Sequence, residues 1–379
     1  MKDVLMSFRQ TYDTFNWYEI HSRILEQTEA DVKRALQKSG RRDCYDFLAL
    51  ISPAAEKFLP DMMQQSRELT QKRFGKTIRI YAPLYLSNYC YNNCLYCGFR
   101  YENTLERVRL TDQQIMGEIT VLNSMGIDHV LLVTGESNKM AGVDYLRHGL
   151  RLLKPYFANL SVEVQPLREE EYRVLAQEGL GRVYVYQETY HRDHYRDYHP
   201  KGMKSHFYYR LETPDRIARA GIGRIGLGIL IGLEDWRADA FFTAMHADYL
   251  TETYGTACSI SFPRLRPAVG IMPPRVTITE DQLMQMICAY RLFSEELELS
   301  LSTRESAEFR DKALYYGITG MSAGSKTNPG GYATYHEDSL EQFEIADHRS
   351  VEEFCTMLRE NGYEPIWSDD KLERKEISH

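Results

Sequence analysis

The sequence predicts a (βα)8 barrel of TIM type, because eight strand-like segments alternate with helix-like segments along most of the chain. Most of the strand-like segments are nearly continuous apolar runs rich in Val, Ile and Tyr, the pattern of parallel strands buried on both faces. An open, doubly wound sheet would produce a similar alternation and is the competing architecture. We favour the barrel, because eight strands over about 250 residues are what its closure requires.

Eight segments are predicted as strands, and the last of them has the weakest pattern. In chain order they are 78–86, 129–134, 160–165, 182–186, 224–231, 257–262, 297–302 and 314–319.

Several helices carry start signals. Three capping boxes, each a Ser or Thr followed three residues later by Gln or Glu, are Thr111 with Gln114, Thr279 with Gln282, and Ser350 with Glu353. Thr213 stands directly before Pro214, which predicts a cap residue followed by proline at the first helical position. The helix that begins at Ser350 is expected to end before Gly362.

The chain is predicted to have three regions. Residues 1–70 are expected to form helices that precede the barrel, residues 71–322 the barrel itself, and residues 323–379 a tail with one helix that packs at or near the barrel mouth. A length of 379 residues fits one large domain or two ordinary ones.

Charge and hydropathy argue against two classes of partner. The net charge of -8 indicates no basic surface for nucleic acid or for an anionic membrane. The most apolar stretch, 225–233, is far shorter than the roughly 20 residues that span a bilayer. The first residues lack the apolar core of a secretory signal, so we expect a cytoplasmic protein, in which clustered cysteines more often bind metal than form disulfides.

Polar side chains follow the predicted strands, and the carboxyl ends of barrel strands meet at one face, where active sites lie. In strand order they are Cys90, Cys94 and Cys97; Gly135 and Glu136; Glu163 and Gln165; Gln187 and Glu188; Glu234; Arg264 and Arg266; Arg304 and Glu305; and Ser322. This concentration of polar groups predicts a functional site at the barrel mouth.

The three clustered cysteines have the spacing C-x3-C-x2-C. Thiolates are typical ligands of zinc and of iron–sulfur clusters, but a structural zinc site requires a fourth protein ligand. No second C-x2-C pair occurs, and the distant His191, His194 and His199 are expected in a solvated, aromatic-rich loop. Three thiolates on a [4Fe–4S] cluster would instead leave one iron open to a substrate or cofactor. The remaining cysteines (Cys44, Cys258, Cys288 and Cys355) are expected to be ordinary small apolar residues.

The cysteine motif, with Tyr96 before its last cysteine and directly after the first strand, resembles the radical S-adenosylmethionine (SAM) superfamily. The resemblance implies a [4Fe–4S] cluster held by the three cysteines and SAM bound to the open iron, where reduction yields a 5′-deoxyadenosyl radical. Gly135 and Glu136 resemble the end of the Gly-Gly-Glu motif that receives the SAM amino group. Thr134 stands where the first glycine is usual.

Further positions carry over from the same resemblance. Glu163 resembles the residue that meets the ribose side of SAM, and Arg210 resembles the arginine that pairs with the SAM carboxylate in biotin synthase-like members. Gln165 and Tyr96 complete the set of residues expected at the cofactor. A guanidinium fork matches a carboxylate in two-point contact, so the residue type at 210 suits that task.

Over nearly the whole chain the sequence resembles the aromatic amino-acid lyases of this superfamily, and most closely the tyrosine lyases of thiamine biosynthesis. The segments that carry it include "NYCYNNCLYCGF", "VTGES", "SFPRLRPA", "LSTRE" and "EQFEIADHRS". The resemblance implies cleavage of L-tyrosine between Cα and Cβ to 4-cresol and 2-iminoacetate. It also implies handover of the imine to a thiazole synthase and an electron donor that is a flavodoxin or a ferredoxin.

A zwitterionic substrate needs a cation for its carboxylate, and we expect Arg304 in that role, with Ser322 as a second contact. An ion pair between Arg304 and Glu305, or between Arg304 and a neighbouring helix, is the alternative. The phenol needs a hydrogen-bond partner or base, for which Glu188 is the first candidate and Tyr186 and His191 are others.

Three other functions remain open at this point. A hydrogenase-maturation tyrosine lyase would carry a second cluster in a C-terminal extension, and the isolated late cysteines offer no ligand pair for it. A tryptophan lyase would need a larger pocket without the phenol contact. A non-enzymatic zinc-binding protein would use the three cysteines and a distant histidine for stability.

Overall fold

Eight parallel strands close into a barrel in the computed structural model, which describes residues 7–266, 270–335 and 341–367. Each strand pairs in parallel with the next, and β1 pairs with both β2 and β8, which closes the ring. The closure confirms the barrel over the open sheet. The barrel strands are β1 Thr77–Ser87, β2 His129–Thr134, β3 Asn159–Glu163, β4 Leu180–Tyr184, β5 Arg224–Gly228, β6 Ala257–Ser261, β7 Glu298–Leu301 and β8 Gly320–Ser322. A ninth strand, β9 Glu364–Ile366, lies outside the ring and pairs with β1.

Fifteen α-helices are found in the described residues. Before the barrel lie α1 Phe8–Tyr12, α2 Trp17–Leu25, α3 Glu29–Gln37, α4 Cys44–Leu50 and α5 Leu59–Phe74. The remaining helices are α6 Asp112–Ser124, α7 Val143–Leu153, α8 Glu169–Gln177, α9 Tyr195–Tyr198, α10 Phe207–Leu211, α11 Thr213–Arg219, α12 Trp236–Tyr254, α13 Glu280–Phe293, α14 Ala307–Ala313 and α15 Val351–Glu360. Short 3₁₀ helices span Pro53–Phe58 and Met203–Ser205. None of the helices in the described ranges is long and apolar enough to cross a membrane.

The three capping boxes are confirmed, but the predicted cap at Thr213 is wrong. Thr111, Thr279 and Ser350 each accept a hydrogen bond from the backbone amide three residues on. Thr213 is instead the first residue of α11, and its hydroxyl donates to the carbonyl of Tyr209 (2.9 Å). Helix α10 runs almost directly into α11, so no extended residue separates them to serve as a cap.

The eighth strand lies farther along the chain than predicted. Residues 314–319 are not a strand: the amide of Leu314 still bonds back to Arg310, and that of Tyr316 to Ala313, as the end of α14 unwinds. Gly317, at φ +115°, then turns the chain into β8. Ser322 therefore lies within this strand and not after it. The apolar run misled the prediction because burial under a helix end produces the same composition as a buried strand.

The helices before the barrel pack on its outer layer. Helix α5 packs along α13, whose Gln285 side chain donates to the carbonyls of Leu50 (2.9 Å) and Ser52 (2.8 Å). At the other end, the hydroxyl of Tyr12 donates to the carbonyl of Tyr190 (2.9 Å). This hydrogen bond from α1, together with the contact of Trp17 of α2 with His191, places α1 and α2 against the segment that follows β4.

A ninth strand joins the barrel at the amino-terminal end of β1. Arg79 pairs with Gly320 of β8 and also with Ile366 of β9, so β9 and β8 lie on opposite edges of β1. Beyond Ala82 the edge that β9 occupies passes to β2. No sequence pattern indicates this strand, because three residues with a central proline are a poor strand pattern.

Candidate active site

A cavity opens among the carboxyl ends of the strands. The residues predicted to contact the cluster, SAM or tyrosine that line it are Cys90, Cys94, Tyr96, Cys97, Gly135, Glu136, Glu163, Tyr186, Glu188, Arg210 and Arg304. A second cavity shares Glu163, Tyr186 and Arg304 with the first and has Ser322 in its wall. Gln165 lines neither cavity. Its side-chain amide donates to the carbonyl of Ala141 (2.8 Å).

The cysteine loop after β1 is held in shape by two side chains that bond to backbone. The side chain of Asn88 accepts from the amide of Val108 (2.6 Å) and donates to the carbonyl of Glu106 (2.8 Å). The guanidinium of Arg107 donates to the carbonyls of Asn88 (2.7 Å) and Phe99 (2.8 Å). The loop is thus fastened at both ends, which fixes where its cysteines point.

The three cysteines suit a cluster better than a single zinc ion. Tetrahedral zinc, at about 2.3 Å from each sulfur, needs sulfurs roughly 3.8 Å apart. Among the described residues, the one trio of potential ligands whose atoms all lie within 4.8 Å of one another is His191, His194 and Glu234, and the cysteine trio is therefore wider. Burial raises the pKa of all three thiols, that of Cys90 to about 12. Bound iron would supply the positive charge that makes these sulfurs thiolates.

The expectation of a solvated histidine loop is wrong. His191 is buried between Trp17 and His194, and His199 is buried against Tyr195. The helices that precede the barrel cover this segment, which sequence patterns do not reveal. His199 accepts from the hydroxyl of Tyr96 (2.7 Å), with its other ring nitrogen against the carbonyl of Tyr195 (2.7 Å).

His191 and His194 are not arranged to bind one metal ion together. The rings of His191 and His194 are stacked, 3.9 Å apart and 8° from parallel. Ligand lone pairs lie in the ring planes, so two parallel rings do not converge on one ion. His194 is instead bonded to the carboxylate of Glu234 (2.8 Å).

Glu136 and Arg210 form the centre of a charged network beside the cysteines. One oxygen of Glu136 accepts a hydrogen bond from the guanidinium of Arg210 (2.8 Å). The other accepts one from the side-chain amide of Asn92 (2.6 Å). Burial works to raise the pKa of Glu136, but the positive charges of Arg210 and Lys204 outweigh it and hold that pKa below its ordinary value. The carboxylate is thus charged and oriented, ready to meet a ligand ammonium group.

Gly135 allows this arrangement, because a Cβ there would lie 2.4 Å from the carbonyl oxygen of Tyr89. The loop after β2 therefore lies directly on the cysteine loop, where the amide of Tyr91 donates to the carbonyl of Glu136 (3.1 Å). Position 135 therefore requires glycine, which has no Cβ to clash with the cysteine loop.

Glu188 sits in a strained backbone conformation. Its φ is +71°, the one positive value of a non-glycine residue in the described ranges. The conformation turns its carboxylate to the ammonium of Lys204 (2.7 Å) while its carbonyl accepts from the amide of Leu230 (2.8 Å). Strain of this kind costs on the order of 1–3 kcal/mol and concentrates at functional sites.

Glu163 borders both cavities and is shielded from bulk water. That shielding and the negative charge of Glu188 raise its pKa to about 7, against the opposing effect of Arg304. Its carboxyl group can therefore gain or lose a proton near neutral pH.

Arg304 faces both cavities and has no carboxylate within ion-pair distance among the residues described. The alternative pairing with Glu305 is not made, because that carboxylate binds Arg264 (2.8 Å) and Arg266 (3.4 Å). The guanidinium of Arg304 instead lies 3.4 Å from the centre of the Phe343 ring and donates to the carbonyl of Arg264 (3.3 Å). A cation stacked on a ring and open to a cavity is well placed to bind a small anion.

Ser322 lies in the wall of the second cavity, deeper in the barrel. Its hydroxyl oxygen accepts from the backbone amide of Thr303 (3.1 Å), which leaves its proton for another acceptor. Hydroxyl groups of Tyr81, Tyr186, Ser261 and Ser300 share this cavity. It therefore offers a space with an aromatic wall and several hydrogen-bonding groups.

Sequence patterns missed four residues of the site. Asn92, Lys204, Gln342 and Phe343 all line the first cavity. Gln342 and Phe343 belong to the quoted segment "EQFEIADHRS" but carry no motif of their own. Only their positions in the fold, opposite the cysteine loop and Arg304, give them a role.

Two family profiles match this chain. The family profile of the Radical SAM superfamily matches residues 84–242, and that of the Biotin and Thiamin Synthesis associated domain matches residues 261–364. The chain is 48% identical over 368 residues to the 2-iminoacetate synthase of Escherichia coli (strain K12), covering 96% of this chain and 97% of that one. It is 46% identical to the 2-iminoacetate synthase of Salmonella typhimurium (strain LT2), with the same coverage.

Among solved structures, the crystal structure of HydG, a maturase of the [FeFe]-hydrogenase, matches with a TM-score of 0.89. The sequence identity is 31%, and the match covers 95% of this chain but 82% of that one. The stronger sequence match over nearly full length is to the 2-iminoacetate synthases. With its three cysteines, its Gly-Glu turn and its barrel in place, the chain belongs to the radical SAM superfamily and, within it, to the 2-iminoacetate synthase family.

Proposed function

We propose that this protein is a radical SAM lyase that cleaves L-tyrosine between Cα and Cβ to give 2-iminoacetate and 4-cresol, with 5′-deoxyadenosine and methionine formed from SAM. The observation that carries the proposal is the similarity, over nearly the whole chain, to 2-iminoacetate synthases, in a protein whose cysteine loop and Arg304 share one cavity. The imine would supply the thiazole part of thiamine.

The cofactors follow from the family and from the donor groups at the mouth. Cys90, Cys94 and Cys97 would hold a [4Fe–4S] cluster, and Glu136, Arg210 and Glu163 would contact SAM, with Tyr96 nearby. When bound, the cluster and SAM would supply a 5′-deoxyadenosyl radical, which would take a hydrogen atom from the tyrosine amino group. Glu136 provides a charged acceptor for an ammonium group and Arg210 a guanidinium for a carboxylate, although the two now bond to each other. Gln165 is tied to Ala141, away from the cavity, so we assign it no contact with SAM.

Arg304 would bind the carboxylate of tyrosine at the boundary of the two cavities. The stacked ring of Phe343 limits the directions in which the guanidinium can point, so the amino acid is held in one orientation. Orientation matters because a primary radical reacts with the nearest hydrogen. The amino group must therefore lie on the side of the first cavity.

The phenol would then lie in the second cavity, with Ser322 and the other hydroxyl groups as hydrogen-bond partners. Glu188 does not line that cavity and is bonded to Lys204, and His191 is buried outside both. We therefore assign Glu188 to the charged network of the first cavity. Enclosure by barrel walls would delay hydrolysis of the imine and keep the radical from side reactions.

A thiazole synthase as recipient of the unstable imine, and a flavodoxin or ferredoxin as electron donor, are part of the proposal. So is a cytoplasmic location, where reducing conditions would preserve the cluster.

The test is product analysis with ring-labelled tyrosine under oxygen-free conditions. The reduced protein, reconstituted with iron and sulfide and given SAM, should release 5′-deoxyadenosine and labelled 4-cresol in equal amounts. Release of 5′-deoxyadenosine without cresol would remove tyrosine as the substrate. A colourless protein that keeps one tightly bound zinc after reconstitution would overturn the enzyme assignment.

A further inference from the structure

Residues 341–343, which we call the mouth segment, lie directly against the cysteine loop. The amide of Gln342 donates to the carbonyl of Thr327 (2.9 Å), and its carbonyl accepts from the amide of Gly98 (3.3 Å). A Cβ at position 98 would lie 2.8 Å from that same carbonyl oxygen. The segment is thus fixed to the barrel on one side and to the residue after Cys97 on the other.

The side chain of Gln342 reaches from this segment to a cysteine sulfur. Its Nε2 lies 3.6 Å from the Sγ of Cys97, and its Oε1 accepts from the hydroxyl of Tyr85 (2.8 Å). Tyr85 projects from β1 and is itself packed edge-on against Phe99. Tyr85 therefore fixes the oxygen of the Gln342 side-chain amide, and the nitrogen of the same amide faces the Cys97 sulfur.

The amide has only one orientation that suits a thiolate. A carbonyl oxygen facing a negatively charged sulfur would be repelled, whereas an N–H group facing it forms a hydrogen bond. The Tyr85 hydroxyl can donate to the oxygen that is left, so both ends of the amide are satisfied. Among the described residues, Gln342 is the side chain whose hydrogen bond to a cluster cysteine is seen.

We propose that Gln342 is a positioning residue that raises the reduction potential of the cluster by donating a hydrogen bond to the Cys97 sulfur, so that electron uptake depends on the mouth segment being in place. The proposal rests on the cluster of the proposed function. One-electron reduction adds negative charge to the cluster and its sulfur ligands, and an N–H dipole aimed at a ligand sulfur stabilises the charged product more than the reactant. The same segment carries Phe343 beneath Arg304, so one segment contacts both the cluster loop and the substrate arginine.

The test is a redox titration, followed by electron paramagnetic resonance, of the full chain with its cluster but without SAM or tyrosine. Gln342→Leu keeps the approximate size of the side chain and removes both hydrogen bonds. Tyr85→Phe leaves the amide in place but removes the group that orients it. Gln64→Leu, at an exposed position on α5, is the matched control.

For Gln342→Leu we expect reduction to become about tenfold less favourable, a fall in potential of about 59 mV for a one-electron couple. Tyr85→Phe should shift the potential in the same direction by less, and Gln64→Leu should not shift it. A potential for Gln342→Leu equal to that of the wild type, at equal iron content, would overturn the inference. If Gln342→Leu does not hold a cluster, the reduction potential of Tyr85→Phe is the test. A potential of Tyr85→Phe equal to that of the wild type would then overturn the inference.

The wild-type protein separates this inference from the proposed function. A wild type without a cluster would contradict the proposed function, whatever the variants do. A wild type that forms cresol, with variants that share its potential, would contradict only the role of Gln342.

Discussion

Glu163 is the residue at which the cost of building the site is clearest. Its carboxyl group borders both cavities, and shielding from water with the nearby charge of Glu188 raises its pKa to about 7, from an ordinary 4.5. Between pH 4.5 and about pH 7, the folded protein therefore keeps a proton on Glu163, whereas the unfolded chain releases it. Stability contributed by that proton is present below about pH 4.5 and is lost as pH rises through 7.

Replacement by a neutral side chain should remove this loss. We expect Glu163→Gln to raise the free energy of unfolding above pH 7 by up to about 3 kcal/mol and to leave it unchanged near pH 4.5. Urea unfolding across this range measures the difference, with Glu360→Gln on the exposed side of α15 as control. An equal gain at all pH values would contradict titration of Glu163 as the cause.

Arg304 should matter for the substrate and not for the cofactor. We expect Arg304→Ala to lower kcat/KM for cresol formation by roughly 10- to 100-fold, because a charged hydrogen bond of about 1.5–3 kcal/mol is lost. Tyrosine-independent formation of 5′-deoxyadenosine should persist. Arg34→Ala, at an exposed position of α3, is the control. Unchanged cresol formation would remove Arg304 from the substrate site.

The residues that sequence alone could identify are those whose chemistry is written in a local motif. The cysteine spacing, the Gly-Glu turn and the charged residues at strand ends were enough to identify most of the predicted residues that line the first cavity. Lys204 and Gln342 could not be found in this way, because each reaches the site from a segment remote in sequence. Nor could the burial of His191, since it is caused by helices far earlier in the chain.

At the scale of elements, prediction succeeded where patterning and tertiary packing agree. Strands β1 to β7 are where buried apolar runs predicted them, and the three capping boxes begin helices as expected. The eighth strand was misplaced because only three residues, Gly320–Ser322, pair with their neighbours, too few to produce a pattern. Strand β9 was missed for the same reason.

The loop after β2 allows a test of how closely two elements must meet. Gly135→Ala would place a methyl group 2.4 Å from the Tyr89 carbonyl, so the cysteine loop must shift away from Glu136. We expect the variant to fold but to retain less than half of the iron of the wild type after reconstitution. Iron and sulfide analysis measures this. Gly223→Ala, with open space around its Cβ position, is the matched control, and full cluster content in Gly135→Ala would contradict the packing argument.

At the scale of the whole molecule, the region after β8 contributes to both ends of the barrel. The mouth segment closes on the cysteine loop and Arg304, whereas β9 pairs with the opposite end of β1. Between them, Asp347 forms a buried ion pair with Arg310 of α14, and Arg310 also bonds to the carbonyl of Ser322. This pair fastens the polypeptide that carries Gln342 to the last strands of the barrel.

Loss of Asp347 should therefore affect stability and the mouth segment together. Asp347→Ala leaves the guanidinium of Arg310 buried without its carboxylate, and we expect the free energy of unfolding to fall by about 3–5 kcal/mol at neutral pH. Burial opposes ionisation of Asp347, but Arg349 and Arg310 prevail and lower its pKa below the ordinary 3.8. The stabilisation is then complete above pH 3.8 and is lost as pH falls through the lower, folded value.

The difference between wild type and Asp347→Ala should accordingly shrink only in acid, and urea unfolding at pH 3 to 8 measures it. Hydrogen exchange reports the second effect: the amide of Gln342, bonded to Thr327, should exchange faster in the variant, while amides in β3 keep their relative protection. Asp61→Ala, exposed on α5, is the control for both measurements. If exchange at Gln342 stays at the wild-type rate while stability falls, the ion pair supports the barrel without holding the mouth segment, and closure of the site must depend on the contacts of Gln342 itself.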